Sequence, residues 1–282
     1  IMKDRDYSTS AFHSNPYLSK YAGYSRGFDI FYDSLSSESK KTDSKNTRNI
    51  GLKSIIRKIN NNPRLKKVFS SISIYSKVDP YTNAEDINLK VFDWLNKNEK
   101  KDLFCWIHYM DAHFPWIPPR ERQKRYSHGY ISKPRIGRLW AKVSKREKLG
   151  SKDIEDLKVL YDTQVGYVDY NIGILLEELK RLSIYDKSVI IITADHGDEF
   201  GDHGGIMHSE KLYDELIRVP FTIKVPHIGK YRRTETLNQL KDLIPTLVDV
   251  LDIDYDNTDC NLSYFNNSAG SDRRYIISEA AS

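Results

Sequence analysis

One short segment constrains the fold of this chain more than any other. Residues 188–193 form a run of Val, Ile and Thr that leads directly into Ala194, Asp195, His196 and Gly197. Such a run is typical of a parallel strand covered on both faces. A long helical pattern from Ser151 precedes it, and a further strand is expected at 221–225. This alternation predicts an α/β fold with a mostly parallel central sheet flanked by helices.

Further elements follow from apolar spacing. Residues 103–109 are short and apolar enough for a buried strand, and Ile276 and Ile277 suggest a last strand. Helical spacing occurs at Ile87, Val91, Trp94 and Leu95; at Leu157, Leu160, Tyr161, Val165, Val168, Ile172, Leu175, Leu176 and Leu179; and at Leu240, Leu243, Ile244, Leu247, Val248 and Leu251. Residues 34–71 are rich in Ser, Lys and Asn, which predicts an exposed polar insertion.

Composition excludes several classes of protein. Two cysteines in 282 residues cannot form a disulfide framework, and no stretch of about 18 apolar residues predicts a membrane span. The net charge is +5, and residues 120–150, interpreted as a basic loop segment, carry eleven Lys and Arg against two Glu. That segment is either a solvated surface or a site for an anionic partner. Nucleic acid is not expected, because aromatic residues are not interleaved with the basic run as in known modules.

The segment after residue 193 contains the strongest chemical signal. Asp195 and His196 follow the buried strand directly, and open α/β sheets bind ligands at the carboxyl ends of their strands. Three of the eight histidines lie between positions 196 and 208, a density that suits a metal or anion site. The sequence has no HExxH, CxxC, GxSxG or P-loop motif to favour another hydrolase class.

A second signal follows the strand predicted at 103–109. The sequence Asp111-Ala-His113-Phe-Pro115 begins just beyond that strand. His113 is therefore expected on the same rim of the sheet as Asp195 and His196.

Taken together, these pieces resemble the sulfatase family of the alkaline-phosphatase superfamily. The resemblance covers most of the chain, and its specificity lies in the order and spacing of several motifs. They are Gly23-Tyr-Ser-Arg-Gly-Phe-Asp29, Tyr109-Met-Asp-Ala-His-Phe-Pro115, Tyr161-Asp-Thr-Gln-Val-Gly-Tyr-Val-Asp169, Thr193-Ala-Asp-His-Gly-Asp198, Gly201-Asp-His-Gly204, Tyr213-Asp-Glu215 with Arg218-Val-Pro220, and Asp242-Leu-Ile-Pro-Thr246.

The resemblance implies a metal-dependent hydrolase of sulfate esters with an alkaline-phosphatase-like fold. Asp195 and His196 look like two ligands of a divalent metal, usually Ca²⁺ in this family, with Mg²⁺, Mn²⁺ and Zn²⁺ left open. His113 and His208 look like catalytic pocket histidines. Asn15 and Lys211 are candidate substrate-binding residues. The expected substrate is an anionic small-molecule or saccharide ester.

Two features of the family are absent from the sequence. No Cys or Ser fits the C/S-x-P-x-R motif that yields the formylglycine nucleophile, and the acidic metal ligands of the family's amino-terminal part are not evident. The chain is therefore interpreted as a partial catalytic domain over 1–282, with the nucleophile expected upstream. Two alternatives stay open: a phosphodiesterase, phosphonate hydrolase or phosphate-group transferase of the same superfamily, and an inactive module that binds polyanions.

Overall fold

The computed structural model describes residues 2–33, 81–127, 129–208, 211–228, 233, 237–254, 263 and 276–279. The chain divides into two compact units, Ile1–Leu182 and Ser183–Ser282. The elements of the described residues confirm the predicted α/β class. The polar insertion predicted at 34–71 lies outside the described residues.

In the first unit, the described residues form a parallel sheet of three strands. These are β1 (Ser8–His13), β2 (Ile30–Asp33) and β3 (Leu103–His108), in the order β2-β1-β3. The third strand confirms the prediction at 103–109 to within one residue. Because all three strands are parallel, their carboxyl ends meet at one edge, where the sequence places His113.

The described residues of this unit form four α-helices: α1 (Ala84–Asn98), α2 (Arg120–Tyr126), α3 (Lys133–Ser144) and α4 (Ser151–Arg181). The α1 helix begins where Asn83 Oδ1 accepts a hydrogen bond from the Asp86 amide at 3.0 Å, a favourable N-cap. It buries Val91 and Trp94, and the Trp94 ring meets Phe12 of β1 edge to face at 6.2 Å. The apolar spacing predicted for α1 is thus its core-facing side.

The buried side of α4 differs in part from the apolar pattern of its sequence. Leu157 and Leu160 are buried as expected, whereas Val165 is 40% exposed and Gln164 and Asn171 are buried. Polar residues lie inside because α1 and α2 both pack against this helix. For example, Asn88 of α1 donates from Nδ2 to the Asn171 carbonyl at 2.9 Å.

The basic segment at 120–150 is not a loop, since it contains α2 and α3. The α3 helix has Pro134 in its first turn, which suits a helix start. It buries Ile136, Leu139 and Trp140, an i, i+3, i+4 pattern. The prediction of a loop was wrong because the density of charge obscured this apolar stripe.

In the second unit, four short strands and two α-helices lie within the part of the chain that the structure describes. They are β4 (Ile190–Thr193), β5 (Glu199–Phe200), β6 (Ile206–Met207), β7 (Phe221–Lys224), α5 (Asp214–Ile217) and α6 (Leu243–Val250). The strands expected at 188–193 and 221–225 are present, but β4 pairs with β7 in antiparallel register. The sequence therefore predicted the parallel direction of β4 wrongly, since an apolar run carries no information on the direction of its neighbour. Within the described residues, Ile190–Ile192 are also only partly buried and Thr193 is exposed.

Of the remaining predictions for this unit, the helix is confirmed and the last strand is wrong. The helical pattern from Leu240 is confirmed as a 3₁₀ turn, Leu240–Asp242, followed by α6. Ile276 and Ile277 do not form a strand in the described stretch 276–279; the Ile277 carbonyl instead accepts a hydrogen bond from Gln239 at 3.0 Å. None of the helices in the described ranges is long and apolar enough to cross a bilayer.

Candidate functional site

The carboxyl edge of the first sheet carries a row of ionisable side chains. The register places His13 opposite Asp33 on one side and His108 on the other. His13 is fully buried, and its pKa is lowered first by that burial and then by His108, with Asp33 opposing. Burial disfavours the charged imidazole. The row was missed at the sequence level because it depends on strand register.

Asn15 lies just beyond β1. Its Oδ1 accepts a hydrogen bond from the Tyr17 amide at 3.0 Å and so caps the 3₁₀ helix Pro16–Leu18. The side-chain oxygen therefore has a local structural partner. The substrate-binding role of Asn15 stays a prediction.

His113 lies in a tight turn after β3. Its amide donates to the Met110 carbonyl at 2.9 Å, which closes the turn. Its Nδ1 lies 2.5 Å from the Phe114 carbonyl oxygen and 3.3 Å from the Tyr81 hydroxyl. Because a carbonyl can only accept, this contact favours a proton on Nδ1 and makes Nε2 the nitrogen that exchanges protons.

Buried aromatic rings anchor the segment that follows His113. Trp116 is fully buried and donates from Nε1 to the Ala112 carbonyl at 2.9 Å. Its ring packs against Trp140 at 5.7 Å and Tyr161 at 5.3 Å between centroids. The backbone on both sides of His113 is therefore tied to α3 and α4.

The buried carboxylate of Asp111 provides another anchor for this turn. Its side chain is 4% exposed, and Oδ1 lies 3.2 Å from Nη1 of Arg122. The sequence placed Arg122 among solvated or substrate-attracting charges. The structure instead gives it an internal partner.

In the second unit, Asp195 and His196 follow β4 as the sequence predicted. His196 Nε2 lies 3.9 Å from Asp195 Oδ2, while its Nδ1 lies 2.9 Å from the Gly197 carbonyl oxygen. A histidine that binds a metal commonly donates its other ring N–H to a carbonyl or carboxylate. The contact with Gly197 thus leaves Nε2 as the nitrogen available to an ion.

Gly197 is required at this position by close backbone contact. Its amide donates to the Leu216 carbonyl at 2.8 Å. A Cβ at this position would overlap the carbonyl oxygen of Glu215 in α5. Only glycine lets the turn after His196 lie against α5 in this way.

His208 lies against His196, with 4.2 Å between ring centroids. Its Nδ1 is 3.3 Å from Oδ1 of Asp198, whose side chain is 8% exposed. This hydrogen bond is the main reason that the pKa of His208 is raised. One ligand atom from each of His196, Asp198 and His208 lies within 4.8 Å of the others. Sequence reasoning gave Asp198 no role, although it is two residues from His196.

Lys211 has partners inside the protein. Its Nζ lies 3.1 Å from Oε2 of buried Glu199 and 3.3 Å from the His203 carbonyl oxygen. Glu199 Oε1 also accepts the amides of His203 and Gly205, at 2.8 and 2.7 Å. Glu199 therefore holds the β5–β6 hairpin together, and Lys211 neutralises the charge of the Glu199 carboxylate. Contact of Lys211 with a substrate stays a prediction.

A second group of possible metal-binding side chains lies beside this hairpin, formed by Glu199, His203 and Glu215. His203 Nδ1 is 2.6 Å from Glu215 Oε1, and its ring stacks on Tyr213 at 3.5 Å. Because Glu199 already accepts two amides and an ammonium group, hydrogen bonding accounts for this group without an ion.

Comparison with known proteins gives a consistent family relationship. The family model described as Sulfatase matches residues 1–253. The chain is similar to the uncharacterised sulfatase YidJ of Escherichia coli, with 26% identity over 62% of this chain and 37% of that protein. It is also similar to the ulvan-active sulfatase of Formosa agariphila, with 26% identity over 69% of this chain and 35% of that protein.

A solved structure shares the fold at low identity. The lipoteichoic acid synthase LtaP of Listeria monocytogenes matches with a TM-score of 0.56 and 19% identity, over 90% of this chain and 52% of that one. The chain thus spans about a third of the curated relatives above and about half of this structure.

Proposed function

Because the chain belongs to the sulfatase family, we propose that the complete protein hydrolyses sulfate esters of an anionic small molecule or saccharide, assisted by a divalent cation. The observation that carries this proposal is the geometry after β4. There, Asp195 Oδ2 and His196 Nε2 lie close enough to bind one ion. His208, which lies beside His196, is hydrogen-bonded to the Asp198 carboxylate.

The donor set fits part of a cation site. Ligand atoms about 2.0–2.6 Å from one ion are separated by roughly 3–4 Å, and Asp195 Oδ2 and His196 Nε2 are 3.9 Å apart. Asp195 is mostly exposed, so its carboxylate is accessible to an ion. A bound divalent cation would neutralise negative charge on the ester oxygens. Ca²⁺ takes about 6–8 oxygen ligands, so further ligands must complete the site.

His113 is the proposed general acid. When the S–O bond of a sulfate ester breaks, the leaving oxygen would depart as an alkoxide or phenoxide. A proton supplied to that oxygen lowers the activation barrier for cleavage. With Nδ1 directed at the Phe114 carbonyl, the protonated ring has Nε2–H to donate. The turn closed by Met110 and the buried Trp116 restrict where that proton is presented.

His208 is the proposed contact for the transferred group. Asp198 favours the protonated ring and orients it through Nδ1, so that Nε2–H can bind an anionic oxygen. Charge that develops on the sulfuryl oxygens in the transition state would be stabilised by such a donor.

Turnover of matched esters by the complete protein tests this proposal. Purified protein is assayed with an aryl sulfate, the corresponding aryl phosphate and an aryl phosphonate, before and after treatment with a chelator. Sulfate-ester hydrolysis that is lost with chelation and restored by a divalent cation is the expected result. Preference for the phosphate or phosphonate would assign the phosphoester alternative. Binding of all three without turnover would assign the inactive polyanion-binding alternative.

A further inference from the structure

Arg122 belongs to the basic segment, yet it is largely inside the first unit. Its side chain is 16% exposed, compared with 56% for the neighbouring Lys124. The guanidinium lies 3.4 Å above the ring of Tyr167 in α4 and within 3.5 Å of Gln164 Oε1. A planar guanidinium can stack on a ring and donate to a carboxylate at the same time, which an ammonium group cannot do.

The carboxylate that Arg122 contacts is Asp111, two residues before His113. Asp111 lies inside the turn that the His113 amide closes onto the Met110 carbonyl. Since its side chain is almost wholly buried, its charge requires a compensating partner at a fixed position. Arg122 at 3.2 Å is such a partner, and the stacking on Tyr167 restrains it in turn.

We infer that Arg122 is a positioning residue for His113. It links α2, the turn after β3 and α4, and so fixes where the His113 imidazole presents its proton. The expected effect of Arg122 on kcat rests on the proposed function. Its effect on the position of the His113 imidazole does not. The residue acts through Asp111 and not by attracting substrate from solution, so its effect should be independent of ionic strength.

The kinetic experiment is a double-mutant cycle in the complete protein. Arg122→Gln is expected to lower kcat by about 10- to 100-fold, as losses of supporting contacts commonly do, with little change in KM. In a His113→Ala background the same substitution should lower kcat by less than about 2-fold, because the imidazole that Arg122 positions is no longer present. Arg125→Gln is the matched control: it removes the same charge from α2, where Arg125 stacks on Tyr170 at 4.4 Å.

A spectroscopic measurement separates failure of this inference from failure of the proposed function. In protein labelled at histidine, the imidazole resonance of His113 should shift with Arg122→Gln and stay in place with Arg125→Gln. That result supports positioning even if no ester is turned over. An unmoved resonance, or equal kcat losses with and without His113, overturns the inference. Should Arg122→Gln not fold, Arg122→Lys keeps a cation near Asp111 and allows the same comparisons.

Discussion

His196 Nε2 lies 3.9 Å from Asp195 Oδ2, and both side chains extend from one turn at the end of β4. This separation suits two ligands of a single cation. We expect that Asp195→Ala and His196→Ala each weaken divalent-cation binding by the complete protein at least about 10-fold. Isothermal titration of the metal-free protein with Ca²⁺, Mg²⁺, Mn²⁺ and Zn²⁺ measures this.

Two comparisons make the cation prediction specific. Asp186→Asn, an exposed carboxylate before β4, should leave affinity unchanged. If the remaining ligands lie outside this sequence, the 282-residue chain alone should bind the cation more weakly than the complete protein. Tight binding that survives both substitutions would place the cation elsewhere.

The contact between Asp198 and His208 predicts a shared effect on anion binding. His208→Ala should weaken inhibition by sulfate, and Asp198→Asn should reproduce most of that loss, about 10- to 100-fold. The reason is that the Asp198 carboxylate at 3.3 Å stabilises the protonated ring. Competitive inhibition constants for sulfate measure this effect. Normal sulfate inhibition in Asp198→Asn would show that the carboxylate is not needed for binding.

Gly197 should tolerate no side chain. Gly197→Ala is expected to lower the melting temperature and weaken cation binding, since the new Cβ must displace the backbone of α5 at Glu215. Gly173 is the matched control, because it lies in α4, where an added Cβ would meet no atom within 4 Å apart from the local backbone of its own helix. Gly173→Ala should stabilise the protein by up to about 1 kcal/mol. Differential scanning calorimetry measures the melting temperatures of both variants. Equal melting temperatures would contradict the close contact between Gly197 and the Glu215 carbonyl.

Asp153 should make stability depend on pH in the acid range. The Lys142 ammonium, the Gly150 amide and Arg135 hold the pKa of Asp153 at about 2, below its usual 3.8. A carboxylate whose pKa is depressed by folding stabilises above the unfolded value and loses that contribution as pH falls through about 2. Asp153→Asn should therefore destabilise by about 1–3 kcal/mol at neutral pH, and the difference from the parent should shrink as pH falls toward 2.

Chemical denaturation between pH 2 and pH 7 measures this dependence. Asp93→Asn is the control, since Asp93 pairs with Lys97 at an exposed helix surface and should contribute little. A stability difference for Asp153→Asn that is constant over the whole range would contradict the assignment.

The sequence predicted those parts of the molecule that depend on local pattern. Apolar spacing predicted α1 and the strand that becomes β3, and the predicted strand ends place Asp195 and His196 after β4 and His113 after β3, as the structure has them. Long-range pairing is not contained in local pattern. The antiparallel partner of β4 and the row formed by His13 with Asp33 and His108 depend on which strands become neighbours.

Charge was the other feature that sequence reasoning misjudged. Arg122 and Arg135 belong to the basic segment, yet Arg122 contacts Asp111, and Arg135 contacts Asp153 and Asp156 of α4. Their acidic partners lie 11 to 21 positions away, and Asp111 and Asp156 are themselves buried. A run of like charge along a sequence therefore gives no measure of the charge that remains on the surface.

In the proposed reaction, the complete protein cleaves sulfate esters with His113 as the general acid. The most direct measurement is kcat for the parent and His113→Ala across aryl sulfates of decreasing leaving-group basicity. We expect a loss of roughly 10²–10⁴-fold with the most basic leaving group, shrinking toward none as the leaving oxygen needs less protonation. The melting temperature should change little. A loss that is the same for every leaving group, or normal turnover per folded molecule in a variant that melts far below the parent, would contradict the role of His113 as the general acid.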